Sequence, residues 1–378
     1  MTEHTRTTGI VMVALVAMFA GLCASCSSSS HQAASATKPF VATSTASTTS
    51  TTFNTYANAR AGKFAPAVRG VPSRVYVPNS VSNTVDVIDP TTLKIINHFS
   101  VPERPQHVVP SWDLKTLYVN SDLGNALTPI DPRTGLPGKP IPVTDPYNLF
   151  FTPDGTKAIV VPEMLNSLDF RNPHTWKLIK RVPLPCLAPN HMDFTADGHS
   201  VVVSCEGSKQ VVRVNVATMQ VTGALTVGGS PQDVRLSPDG NVFYVADQNL
   251  SGVDLIDAAS FTKIGFIHTG AGAHGLYPSR NTKSLYVSNR IAGTISVIDF
   301  ATRTVTATWP IPNGSPDMGG VSANGNYLWL SGRYNSEVYV INTHTGAFRR
   351  ITVGLGPHGL CVFPQPGKIS LGHTGNYR

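Results

Sequence analysis

The stretch VGGSPQDVRLSPDGNVFYVAD, Val227 to Asp247, decides the fold. A Gly/Pro loop leads into a short run, the SPDG turn at Ser237–Gly240 interrupts it, and a β-rich run follows. The same turn recurs as SWDL at Ser111, TPDG at Thr152, TADG at Thr195, SRNT at Ser279, SANG at Ser322 and PQPG at Pro364. Successive copies stand 41, 43, 42, 42, 43 and 42 residues apart. Regularity at that period is the signature of a repeat architecture.

After each turn but the last comes a β-rich run: TLYVNS, AIVVPE, SVVVSC, VFYVAD, SLYVSN and YLWLSG. RVYVPN, at Arg74–Asn79, stands before the first turn. A second alternating strand follows each run, as in NTVDVID and GTISVID, then an Asp/Asn-x-x-Thr turn and a third strand. With the strand leading into the turn, each unit holds four short strands, which is one propeller blade. The expected fold is all-β, a seven-bladed β-propeller of four-stranded blades. The first unit lacks an inner strand and the last supplies a spare, GLCVFP at Gly359–Pro364, so that strand is expected to complete the first blade and close the ring. Composition agrees: 32 glycines, 29 prolines and only 13% charged residues argue against long charged helices and for many turns.

RVYVPN, TLYVNS and SLYVSN, with their SPDG-type turns, resemble the YVTN-repeat propellers of bacteria, close to the YncE-like group. The resemblance runs from Pro72 to Gly367. It implies an exported seven-bladed propeller. Related seven-bladed proteins include lactonases and a streptogramin lyase, so fold does not fix activity.

Residues 1–25 read as a lipoprotein signal peptide. Gly9–Leu22 is apolar but shorter than a membrane span needs. Ala24 and Ser25 precede Cys26 as in a bacterial lipobox, making Cys26 the expected lipidation site and the protein an extracytoplasmic one, anchored to the membrane and cell envelope. Residues 26–70 are Ser/Thr/Ala-rich and read as a flexible tether. The propeller is assigned to 71–367 and a polar tail to 368–378.

The formal net charge is +7, but the basic residues are scattered, with only Lys180-Arg181 and Arg349-Arg350 adjacent. No nucleic-acid groove is expected. The loop entering each inner strand instead carries one polar residue near the channel mouth: His107, Asn148, His191, Asp233, His274, Asp317 and His358. Converging imidazoles and carboxylates can bind a ligand or a divalent metal. Strand alternation puts His107, Asn148, His191, Asp233 and His358 on one face, with His274 and Asp317 facing away unless a bulge intervenes. Repeat grammar alone would also account for a polar residue at each strand entrance.

Cys186 and Cys205 come to the same end of one blade and are candidates for a disulfide, while Cys361 reads as a core residue. Asp122, Glu163, Glu206 and Asp247 lie in loops on the channel face and read as solvated charges. No GxSxG elbow, P-loop or dinucleotide fingerprint is present in the sequence. The leading expectation is a scaffold that binds a cell-envelope protein or a small molecule through its channel face. A lactonase-like hydrolase or lyase and a metal-binding envelope protein are the alternatives.

Overall fold

In a computed structural model, which describes residues 53–373 and 375–378, the chain forms seven four-stranded blades around a central channel. The expected signal peptide, Cys26 and the first part of the expected tether lie outside the described residues. Blade 5 shows how the sequence builds one unit. Its strands are Pro231–Leu236, Val242–Asp247, Gly252–Asp257 and Thr262–His268, each antiparallel to the next. The inner two are buried throughout, while the outermost is largely exposed. The SPDG turn is held by side chains: Asn241 N–H donates to Asp239 Oδ1 at 3.1 Å and Val242 N–H to Ser237 Oγ at 3.0 Å. Gly240 sits at φ +78°, a conformation glycine adopts without strain. Where the motif lacks that glycine the backbone still demands it, with Leu114 at φ 63° and Thr282 at φ 61°.

The core lies between blades. Val202 and Val211 of blade 4 pack on Val234, Phe243, Val245 and Ile256 of blade 5, all fully buried. Each such side chain contributes roughly 1.5–3 kcal/mol relative to exposure. Blade 1 is shared by the two ends of the chain. Cys361–Phe363 pairs antiparallel with Arg74–Asn79, with Val75 opposite Val362 and Tyr76 opposite Cys361.

Residues 53–70, which composition assigns to a tether, belong to the folded body. Residues 53–70 pack on the face that carries the SPDG-type turns. Tyr56 donates its hydroxyl to Leu236 O at 2.6 Å, and Tyr56, Ala59, Ala65 and Val68 are buried. These apolar residues are spaced among Ser and Thr, so an averaged composition hides them. The tail is an inserted hairpin. Gly367 N–H meets Lys63 O on the turn face, Phe151 N–H meets Leu371 O, and His373 N–H meets Leu149 O near the mouth. The chain then returns to Tyr377 and Arg378, which lies over the Tyr56 ring. The channel is thereby filled from the turn face. No helix among the described residues is long and apolar enough to cross a membrane.

Candidate functional site

Each inner strand starts at the mouth, and most start with an irregularity. Register shifts lie between Pro105 and His107, Pro189 and Met192, Pro231 and Val234, Ala273 and Leu276, and Pro316 and Gly319. His274 and Asp317 fall within these irregular starts, where strict alternation does not hold, and both reach the channel despite their different offset. All seven expected residues, His107, Asn148, His191, Asp233, His274, Asp317 and His358, are at most 2% exposed and lie against one another at the channel axis. The tail adds an eighth, His373, also fully buried.

Five imidazoles meet here. The His107 and His191 ring centroids are 5.3 Å apart, His191 and His373 4.5 Å, and His107 and His358 4.8 Å. His191 Nε2 lies 3.3 Å from His107 Nε2. The rings are neutral: burial lowers His107 to about 4, and burial holds His191, His274, His358 and His373 well below the ordinary value. Neutral imidazole is the form that ligates metals. Ligand atoms of His107, His191 and His373 lie within 4.8 Å of one another, as do those of His274, Asp317 and His358.

Surrounding groups fix two of the tautomers. His107 Nδ1 is 2.9 Å from the Tyr147 carbonyl, which only accepts, so Nδ1 carries the proton and Nε2 presents its lone pair to the cluster. His358 Nδ1 lies 2.9 Å from Gln106 Oε1. That amide is oriented in turn, because Gln106 Nε2 donates to Asp122 Oδ2 at 3.0 Å and Arg104 clamps the same carboxylate at 2.7 Å. Partners of this kind are what orient ligating histidines in metal sites.

The other members have structural duties. Asp233 accepts from Val234 N–H and from Leu276 N–H of the next blade, both at 2.9 Å. Asn148 accepts from Leu149 N–H and lies 3.4 Å from His373 Nδ1. The acidic candidates are not all solvated charges. Asp122 and Asp247 are fully buried, Asp247 accepting from Ser230 and Leu250 N–H, because a loop that folds back over the strand entrance needs an acceptor there. Glu206 takes Gln232 Nε2 at 2.7 Å. Half-buried Glu163 is pushed up to about 8 by burial and then by the nearby Glu206, Asp122 and Asp145 charges.

Cys186 and Cys205 form a disulfide with Cα atoms 6.0 Å apart, joining the loop that enters the His191 strand to the end of the next strand. Cys361 is buried and its thiol is held far above the ordinary value by burial. Around the mouth, loops joining the second and third strands expose large apolar side chains: Val81, Leu123, Met164, Leu250, Ile291 and Tyr334. Sequence reasoning passed over this rim. Its signal was the same position in successive repeats, as in SDLGN, DQNLSG and NRIAGT.

A seven-bladed propeller with a histidine-rich channel mouth is thus the class that fold and site define. The model of the YNCE-like beta-propeller family matches residues 45–366, and the chain belongs to that family. No curated protein matches the sequence. Among solved structures it is similar to a functionally unknown protein from Desulfotomaculum acetoxidans, with TM-score 0.64 and 17% identity over 76% of this chain and 98% of that one. A putative 6-phosphogluconolactonase from Bacteroides uniformis gives TM-score 0.64 and 17% identity over 77% and 99%. Hydrazine synthase of Kuenenia stuttgartiensis gives TM-score 0.61 and 18% identity over 75% and 93%. At these identities the likeness concerns the fold alone.

Proposed function

We propose that this protein is an exported propeller, tethered to the membrane through Cys26, that binds a transition-metal ion in its channel mouth through His107, His191 and His373. The observation that carries the reading is the set of three buried imidazoles whose ligand atoms lie within 4.8 Å of one another, with the His107 Nε2 lone pair aimed at His191 Nε2 3.3 Å away. An all-imidazole set suits copper, zinc, nickel or iron rather than magnesium or calcium. The Cys186–Cys205 disulfide supports an oxidising, extracytoplasmic location. Elemental mass spectrometry on the full chain, and on His191→Asn, tests the site. A near-stoichiometric metal lost in the variant is the expected result, and no metal before or after incubation with copper or zinc sinks the reading.

A second reading, partner docking on the same face, is favoured by the apolar rim. Contiguous exposed apolar surface around a functional opening commonly marks an interaction site. Under this reading Val81→Asp with Ile291→Asp abolishes capture of an envelope protein and leaves metal content unchanged. Capture that survives both substitutions removes the rim from consideration.

A further inference from the structure

We infer that His274, Asp317 and His358, with the Met318 thioether beside them, form a second metal centre next to the tri-histidine site, and that it takes cuprous copper. It extends the metal-binding reading to a separate set of side chains, brought in by the inner strands of blades 6, 7 and 1.

His274 Nδ1 lies 3.0 Å from Asp317 Oδ1, and His358 Nε2 lies 3.6 Å from Asp317 Oδ2. Ligand atoms in a tetrahedral shell at metal–nitrogen distances near 2.0–2.1 Å sit roughly 3.4 Å apart, and each histidine is at about that distance from one Asp317 oxygen, with one ligand atom from each of the three residues within 4.8 Å of the others. Met318 Sδ lies 3.0 Å from His274 Nδ1 and is itself fully buried.

The hydrogen bonds around Asp317 leave one of its oxygens without a donor among the described residues. Arg104 fixes Asp122, Asp122 fixes the Gln106 amide, and Gln106 Oε1 requires the proton on His358 Nδ1. His358 Nε2 is therefore a lone pair. It faces Asp317 Oδ2, a second lone-pair atom with no hydrogen-bond partner among the described residues. Oδ1, by contrast, accepts from Arg290 Nη1 at 3.2 Å. Two buried acceptors pointed at each other are costly unless a proton or a metal ion stands between them.

The identity of the ion follows from softness and charge. A thioether with two imidazoles selects copper, and Cu(I) in particular, over zinc or the hard divalent ions. Arg290 and Arg333 already stand 3.2 and 4.0 Å from the Asp317 oxygens. In a buried site their charge penalises a divalent ion more than a monovalent one.

The test is to strip the full-length protein with a chelator, load it anaerobically with excess Cu(I), desalt it and count copper per chain. Two coppers are expected in the wild type, one in His358→Asn and one in His191→Asn. In Met318→Leu, X-ray absorption should lose the sulfur neighbour seen in the wild type, and this variant serves if His358→Asn does not fold. A wild-type count of one that His358→Asn leaves unchanged overturns the second centre and leaves the tri-histidine site standing. One copper lost in His358→Asn but kept in His191→Asn supports this centre and overturns the other. A count of zero overturns both, as two coppers surviving His358→Asn overturn this inference alone. Copper with no sulfur neighbour in the wild type overturns the assignment of Met318.

Discussion

The two ends of the channel are lined from the same strands yet treat polar groups in opposite ways. Toward the turn face, Asp193 is saturated: its oxygens accept from Leu236 N–H, from Asn376 Nδ2 and from Arg378 Nη2, at 2.8–2.9 Å. Two residues nearer the mouth the bonding changes. His358 Nε2 faces an Asp317 oxygen that accepts no hydrogen bond among the described residues, Arg333 standing 4.0 Å from it, and His191 Nδ1 likewise has no hydrogen-bond partner among them. One family of inner strands thus supplies a closed polar network at one end and lone pairs without donors at the other. Paired groups hold the ring, and groups lacking donors are where an ion belongs.

Four changes would break or sharpen that contrast. Truncation after Leu355 removes the closing strand and the whole tail hairpin, and is expected to abolish cooperative unfolding altogether in calorimetry. A truncated chain that melts like the intact one would show that the closing strand is dispensable. Asp193→Ala strands the Arg378 guanidinium at the turn-face end, and a loss of about 3–5 kcal/mol is expected from the denaturant midpoint. Replacing both Cys186 and Cys205 by alanine opens a loop closed over a sequence separation of 19 and should cost about 2–4 kcal/mol by the same measure. His191→Asn at the mouth is expected to change stability by less than about 1.5 kcal/mol, since no saturated network is broken there, while removing bound metal. If Asp193→Ala proved as mild as His191→Asn, the division between a structural and a functional end would fail.

The repeat made the architecture readable, because the turn chemistry of Ser237, Asp239 and Gly240 is local and returns in every blade. The closing strand was readable for the same reason, as an unpaired surplus in the count. The channel residues could be named but not aimed. His274 and Asp317 lie one residue out of phase, and because these strands start irregularly, alternation could not say which way a side chain there points. His373 could not be reached by any such count, since it belongs to no repeat and arrives on a hairpin threaded into the channel. Asp193 was visible as a charge within a strand, yet its partners Asn376 and Arg378 arrive only at the end of that hairpin. The apolar rim was a repeated position read as loop, and the segment from 53 to 70 was read as tether because its few apolar residues were averaged with many Ser and Thr.

Ring closure also sets an order of events. Blade 1 is completed by Cys361–Phe363, and His358 stands immediately before that strand, while His373 lies beyond it. The other members of both proposed sites are scattered back to His107, so neither set is assembled before that strand has docked. Under the metal-binding proposal, an ion offered too early would find only single, separated histidines. Loading would then mark maturity: only a molecule whose last blade has locked could hold the ion, and metal content would read out how much of the protein has finished folding.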